Sequence, residues 1–239
     1  MPKSYKVCPI REFSAEKFAN EPFKLKAQYV LSDVAAPPQS VIYRARDQVS
    51  YKDFDSYVIE HEREVSVRGR VNGHAFEKFI RQGTMKAFFS GSANLLLITG
   101  KKDDILDFCK ATANLSGITL ATIRVDMKAL LARLAQVSLV WFRFPSGLIR
   151  ASALMGNNVQ KTDQFAQAHA DGDISTLSFF LETELGMHQI MVTADGAVVL
   201  QDEYKEVADE LETVLKVKTD LLDGIYSEEE IRAARKAAK

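Results

Sequence analysis

The feature that most constrains the fold is an alternating strand that runs directly into an Asn-Gly turn. Apolar and polar side chains alternate along Val65-Ser-Val-Arg-Gly-Arg-Val71, with the two-residue period of a half-buried strand. Asn72-Gly73 follows at once and favours a tight hairpin, because both turn positions need positive φ. The chain then returns through residues 74–80. We therefore predict a β-hairpin in which Arg68 and Arg70 project from the face opposite the valines.

The segment after the hairpin has the pattern of a strand, a helix and a second strand. Residues 95–98 are a compact apolar run, and Gly100 ends it. Residues 103–115 have apolar side chains at helical spacing, and residues 118–125 are rich in β-branched side chains. This order predicts a βαβ-like unit in the N-terminal half.

The C-terminal half predicts further strands followed by helices. Strands are expected over 137–144 and 148–155 and in a meander over 174–181, 187–193 and 197–200. Residues 137–144 are apolar on both faces, which is typical of a central strand covered on both sides. A wide apolar stripe over about 203–222 predicts a long helix that packs on the sheet rather than a dimer seam. A capping box at 227–230 predicts a terminal helix.

Together these patterns predict an α+β fold. We expect a mainly antiparallel sheet in the C-terminal half with a long helix packed on it, preceded by a hairpin and a βαβ-like N-terminal half. The domain prediction is an N-terminal α/β part with the basic hairpin, residues 1–135, and an antiparallel meander with C-terminal helices, residues 136–239. No flexible linker marks this boundary, so a single domain stays open.

Composition excludes disorder, and the charge is unevenly distributed. The chain is 46% hydrophobic, too much for an intrinsically disordered protein. Residues 1–172 carry 24 Lys+Arg against 17 Asp+Glu, a net charge of +7, while residues 173–239 carry 7 against 15, a net charge of −8. Such asymmetry favours contact with nucleic acid or pairing between molecules. We see no secretory signal and no apolar run long enough to span a membrane, and we expect a cytoplasmic protein.

The common catalytic and metal-binding motifs are not found in the sequence. Thr99-Gly-Lys-Lys102 lacks the first glycine and the final Ser or Thr of a phosphate-binding loop. The four histidines are scattered without metal-ligand spacing, and there is no CxxC pair or GxSxG motif. Two matches to Asp/Glu-x-Lys equal the number that chance predicts. We therefore expect a non-enzymatic protein with no cofactor and no metal, while a metal-dependent nuclease or phosphodiesterase built from distant acids stays open.

The remaining candidate site is basic. If the strand over 41–46 lies beside the hairpin, four arginines share one surface that clamps phosphates or an acidic protein partner. Neighbouring glutamates argue for an ordinary charged sheet face instead. A third alternative is a self-associating subunit or homo-oligomer, in which the acidic C-terminal helix of one copy meets the basic part of another. The predicted binding residues are Arg44, Arg46, Arg68, Arg70, Lys78 and Arg81.

Overall fold

A computed structural model of the chain describes residues 2–14, 23–26, 39–71, 74–112, 117–145 and 148–230, and more than half of these residues lie in strands. The strands are β1 (Lys3–Phe13), β2 (Phe23–Lys26), β3 (Gln39–Arg44), β4 (Phe54–Val71), β5 (His74–Ser90), β6 (Leu95–Thr99), β7 (Ile118–Val125), β8 (Val137–Arg143), β9 (Ala151–Met155), β10 (Asp173–Thr183), β11 (Gly186–Thr193), β12 (Ala197–Leu200) and β13 (Tyr226–Glu230). The α-helices are α1 (Lys102–Thr112), α2 (Met127–Arg133), α3 (Asp163–Asp171) and α4 (Val207–Lys216).

The chain divides into two compact units. The N-terminal unit consists of Cys8–Ala121 and Glu230–Lys239, and the C-terminal unit consists of Met1–Val7 and Thr122–Glu229. The chain passes from one unit to the other after Val7, after Ala121 and after Glu229. A boundary near residue 135 between independently folding domains stays a prediction.

In the N-terminal unit, strands β2 to β6 follow one another as antiparallel neighbours. Tyr57 and Ile59 of β4 and Met85 of β5 are fully buried in one core cluster with Ile105 and Phe108 of α1. These side chains recur every second residue in the strands and every third in the helix, so each element buries one face. The helix thus covers the sheet over its middle part.

The predicted βαβ-like arrangement is wrong. β6 and β7 do flank α1, but β6 pairs with β5 in antiparallel orientation. β7 pairs with the end of β1, with Ile10 opposite Leu120, again antiparallel. The local pattern gives the order of the elements only. β7 pairs with β1 from the start of the chain and with β13 from residues 226–230, so no pattern within the segment reveals its partners.

In the C-terminal unit the strand order is β1-β12-β11-β10-β8-β9, and every neighbouring pair is antiparallel. Val140 and Phe142 of β8 and Leu177 of β10 are fully buried on the face that the helices cover. The ring of Phe165 in α3 lies 5.6 Å from that of Phe142. Leu211 and Val214 of α4 are also fully buried. We call this side of the sheet the covered face.

The prediction of a long α-helix over about 203–222, packed on the sheet, is wrong. The α-helix spans only Val207–Lys216. Val217–Leu222 continue it as a π-helix. The N–H of Asp223 donates to the carbonyl of Lys218, five residues back, over 3.0 Å. The apolar stripe persists through this segment, but hydrophobic spacing does not distinguish α- from π-helical bonding. The prediction of a terminal helix that begins at the capping box over 227–230 is also wrong, because Tyr226–Glu230 form strand β13. The rest of that predicted helix, residues 231–239, lies outside the described residues.

The expectation that β8 is central and covered on both sides is wrong as well. β8 is next to last in the sheet, between β10 and the edge strand β9. Its Trp141 is 43% exposed, although Phe142 on the other side is fully buried. We call the side that carries Trp141 the open face. Sequence shows that both faces of β8 are apolar, but it does not show whether another layer covers them.

Candidate nucleic-acid interface

The hairpin strands β4 and β5 extend well beyond the sheet. They pair from Phe54 opposite Ser90 to Val71 opposite His74. β3 pairs with β4 only over residues 57–61, and β6 pairs with β5 only over residues 86–90. In the described part of the chain, no other strand pairs with the remainder. Residues 62–71 and their partners therefore continue as a two-stranded ribbon about 30 Å long. The Asn72-Gly73 turn itself lies outside the described residues.

Two arginines at the base of this ribbon are held by a buried carboxylate. Asp104 in the first turn of α1 has a side chain only 3% exposed. Its Oδ1 lies 3.0 Å from Nε of Arg63 and accepts a hydrogen bond from Arg81. Gly83 makes room for this carboxylate, because a Cβ there would overlap Asp104. Arg81, one of the predicted binding residues, is thus engaged within the N-terminal unit.

Beyond the base, the cations are more exposed. We call residues 65–71 with 74–79 the distal ribbon, which contains three Lys+Arg and one Glu. Nζ of Lys78 lies 2.7 Å from Oε1 of Glu64. The side chain of Arg68 is 90% exposed and approaches Glu77 only to 3.9 Å. Arg70 is exposed and has no ion pair with any described residue. Arg68 and Arg70 are therefore the cations on the ribbon that internal carboxylates neutralise least.

A β-bulge changes the direction of these arginines from the predicted one. The register shifts between Ser66 and Gly69, so that Val67 and Arg68 together oppose one residue of β5. Cross-strand partners share a face, and Arg70 is opposite Ala75 just as Val65 is opposite Phe79. Since β5 alternates without interruption, Arg70 lies on the same face as Val65. The predicted separation of arginines and valines onto opposite faces is wrong, because an inserted residue reverses the alternation.

The structure does not bring the six predicted residues onto one surface. Arg44 is opposite Tyr57 and donates to the carboxylate of Asp55. Tyr57 precedes Arg68 by eleven residues along β4, a distance of about 36 Å in an extended strand. Arg46 follows the end of β3 and is exposed. Arg44 and Arg46 therefore lie at the opposite end of β4 from the distal ribbon.

Sequence reasoning missed a buried hydrogen-bonded chain in the N-terminal unit. Oγ of Ser40 lies 2.7 Å from Nδ1 of His61, and Nε2 of His61 lies 3.0 Å from Oδ2 of Asp107. The hydrogen bond from His61 lowers the pKa of the Asp107 carboxyl below its ordinary value, against the opposing effect of burial, and the charge of Arg63 lowers it further. An ionised Asp107 can only accept, so Nε2 of His61 donates to it and Nδ1 of the same ring faces the Ser40 hydroxyl.

The hydrogen-bonded chain of Ser40, His61 and Asp107 resembles the arrangement that activates a catalytic hydroxyl. Its buried surroundings favour a structural role instead. Ser40 and His61 are each only 3% exposed, so the hydroxyl is almost closed to solvent. The histidine ring also packs edge-on against Phe108 at 5.8 Å. The three residues come from β3, β4 and α1, and no motif links them in sequence. Only the periodic position of His61 among the buried residues of β4 indicates that it faces the core.

The C-terminal unit contains a small polar cavity of about 170 Å³. Glu210 of α4 is 2% exposed and accepts hydrogen bonds from Lys3 and Tyr5 of β1. Burial raises the pKa of Tyr5 far above its ordinary value, and the hydrogen bond to Glu210 adds to this effect. The carboxylate thus already has two donors. The cavity is lined by Lys3, Leu200, Asp202, Glu203, Tyr204 and Glu210.

Neither a search for metal sites and membrane-spanning helices nor a comparison with known proteins identifies a function. Within the described ranges, no group of three or more His, Cys, Asp or Glu side chains is arranged to hold a metal ion. No helix in the same part of the chain is long and apolar enough to cross a membrane. The sequence matches no protein-family model and no curated protein.

Proposed function

We propose that the protein binds nucleic acid through the distal ribbon, with Arg68 and Arg70 as the phosphate-binding side chains. The observation that carries this proposal is the contrast between the two ends of the ribbon. At the base, Arg63 and Arg81 share the buried carboxylate of Asp104. Further out, Arg68 has only a loose contact with a carboxylate that is itself 79% exposed. Such a cation exchanges its carboxylate for a phosphate at little cost.

The shape of the ribbon also supports the proposal. The major groove of B-DNA is about 12 Å wide and admits a two-stranded β-ribbon. Val67 and Phe79 are 48% and 40% exposed, so apolar side chains accompany the cations. Apolar groups contact thymine methyls in a groove, and aromatic rings stack on unpaired bases. We favour nucleic acid over an acidic protein surface because a groove of this width is flanked by phosphates and matches the two-stranded shape of the ribbon.

The test is fluorescence anisotropy with labelled duplex DNA, single-stranded DNA and RNA over a salt series. We expect the variant Arg68→Gln/Arg70→Gln to bind more weakly and to reduce the slope of log K against log salt by about 2, since each lost phosphate contact removes about 0.9. The matched control Arg44→Gln/Arg46→Gln removes the same charge from the other end of β4 and leaves binding unchanged.

Two outcomes contradict the proposal. One is wild-type protein that binds none of the three probes at low salt, which favours an acidic protein partner instead. The other is equal loss of affinity in both double variants, which indicates an effect of overall charge. The metal-dependent nuclease, the self-associating subunit and the cytoplasmic location stay predictions.

A further inference from the structure

The edge strand β9 lacks the features that usually protect a sheet edge. Its sequence, Ala151-Ser-Ala-Leu-Met155, has no charge and no proline, whereas exposed edges commonly carry lysine, proline or a bulge. β9 pairs with β8 on one side, and no described strand pairs with its other side. Its outer backbone groups are therefore available to another strand.

The register identifies which backbone groups point outward. The N–H of Phe144 donates to the carbonyl of Arg150, and the N–H of Gly156 donates to the carbonyl of Ser138. Both pairs belong to the same antiparallel register as Trp141 opposite Ala153. Hydrogen-bonded and non-hydrogen-bonded pairs alternate in such a ladder. The N–H and C=O groups of 151, 153 and 155 therefore point away from β8.

The exposed apolar side chains lie at the two ends of this strand. Leu148 and Ile149, just before β9, are 104% and 66% exposed, and Met155 at its other end is 79% exposed. Trp141, opposite Ala153 on the open face, is 43% exposed. An antiparallel neighbour of the same sequence, centred on Ala153, places its Met155 opposite Ala151 and two residues along the strand from Ile149. The edge is thus complementary to itself.

We propose that the protein forms a homodimer in which β9 pairs with β9 of a second copy, antiparallel and centred on Ala153. Ala153 then faces its own counterpart, and residue 151 faces 155 of the other copy. All three pairs are of the hydrogen-bonded kind, in which each pair exchanges two backbone bonds. On the open face, the two small Ala153 side chains lie between the two Trp141 rings.

The charges near the edge do not oppose this pairing. Arg150 is the nearest cation in sequence and is exposed. The same register places it opposite Gly156 of the other copy, which has no side chain. The two Arg150 residues are then about 20 Å apart along the paired strands. This separation exceeds the screening length of about 8 Å at physiological salt.

The available surface suffices for a modest dimer. At about 200 Å² for a fully exposed large side chain, the exposed fractions of Leu148, Ile149, Met155 and Trp141 amount to roughly 600 Å² per copy. Two copies together bury at most about 1,200 Å², which is the lower limit of stable interfaces. We therefore expect a dissociation constant in the micromolar range.

The test is sedimentation equilibrium of the full chain from about 1 to 200 μM, a range that brackets this constant. We expect reversible dimerisation of the wild type and at least tenfold weaker association of Ala153→Pro. Proline at 153 removes an N–H that β8 does not use, so the fold is retained. Met155→Lys also weakens the dimer, whereas Met187→Lys, a change at another exposed methionine of the open face on β11 (61% exposed), leaves it intact.

Hydrogen exchange of the wild-type protein tests the same proposal without a substitution. Hydrogen exchange of the amides of residues 151, 153 and 155 slows as concentration rises, because these amides face solvent in the monomer and β9 of the second copy in the dimer. A wild type that stays monomeric over the whole range overturns the proposal. So does a dimer that persists unchanged in both Ala153→Pro and Met155→Lys, or exchange at these amides that is independent of concentration.

Discussion

The buried carboxylate of Asp104 should be the main electrostatic support of the ribbon base, and replacing it tests this directly. Removing one partner of a buried ion pair costs about 3–5 kcal/mol. Here the side chains of Arg63 and Arg81 are still 21% and 32% exposed. Water therefore stabilises part of their charge after the change. We expect Asp104→Ala to lower the free energy of unfolding by about 2–3 kcal/mol.

The neighbouring residue provides a matched control. Asp103 lies in the same first turn of α1, but its side chain is 71% exposed and its carboxylate is 3.4 Å from Nη2 of Arg63. A surface pair of this kind contributes about 0–1 kcal/mol. Both aspartates interact similarly with the helix dipole, by about 0.3–1 kcal/mol. The dipole contribution therefore cancels in the comparison, and the difference between the two variants isolates the effect of burial.

The assay is guanidinium denaturation followed by circular dichroism, with the m-value checked for each variant. The double variant Asp104→Ala/Arg81→Met should show a coupling energy of about 1–3 kcal/mol, because the two groups share one contact. Equal destabilisation by Asp103→Ala and Asp104→Ala, or additive effects in the double variant, would refute the reasoning.

Three further predictions concern single contacts. The pKa of Asp107 is lowered in the folded state, chiefly by the hydrogen bond from His61, so this contact stabilises the fold above the unfolded pKa of about 3.9 and is lost as pH falls through the lower folded value. Urea titrations from about pH 6 to 3 should therefore show a weaker acid dependence for Asp107→Asn than for wild type, and equal slopes contradict this. Tyr5→Phe removes a donor to the buried Glu210 and should cost about 1.5–3 kcal/mol in denaturant unfolding; an unchanged midpoint means that the bond contributes nothing. Asp126 caps α2 by accepting from two backbone N–H groups, so Asp126→Ala should cost about 1 kcal/mol and lower the melting temperature, whereas Asp126→Asn should retain most of the stability.

Features set by neighbouring residues were predictable from the sequence. The alternation before Asn72-Gly73 predicts two strands that pair around this turn, and β4 and β5 do pair up to Val71 opposite His74. Strands in the C-terminal half and the helix after Gly100 follow from apolar spacing in the same way. In each case the preference for a turn, strand or helix arises from residues close together in sequence. A short stretch of sequence is therefore enough to predict the element.

The candidate site was predictable only in part. Arg68 and Arg70 do lie on the hairpin, but the bulge beside Gly69 places Arg70 on the face of Val65. Arg44 is far from both because β3 pairs with the other end of β4. Arg81 is engaged because Asp104 of α1 packs against Gly83. Register, a bulge and a helix contact each depend on residues distant in sequence.

The sequence by itself determined where the chain turns, which segments alternate, and that cations flank the Asn-Gly turn. Tertiary structure decided which strands pair, which cations meet buried carboxylates, and that Trp141 and β9 stay uncovered. The two groups of features differ in the distance along the chain over which the interactions that fix them act. Turn chemistry and side-chain periodicity act over a few bonds along the backbone, whereas burial and charge pairing depend on which distant segments come together in space.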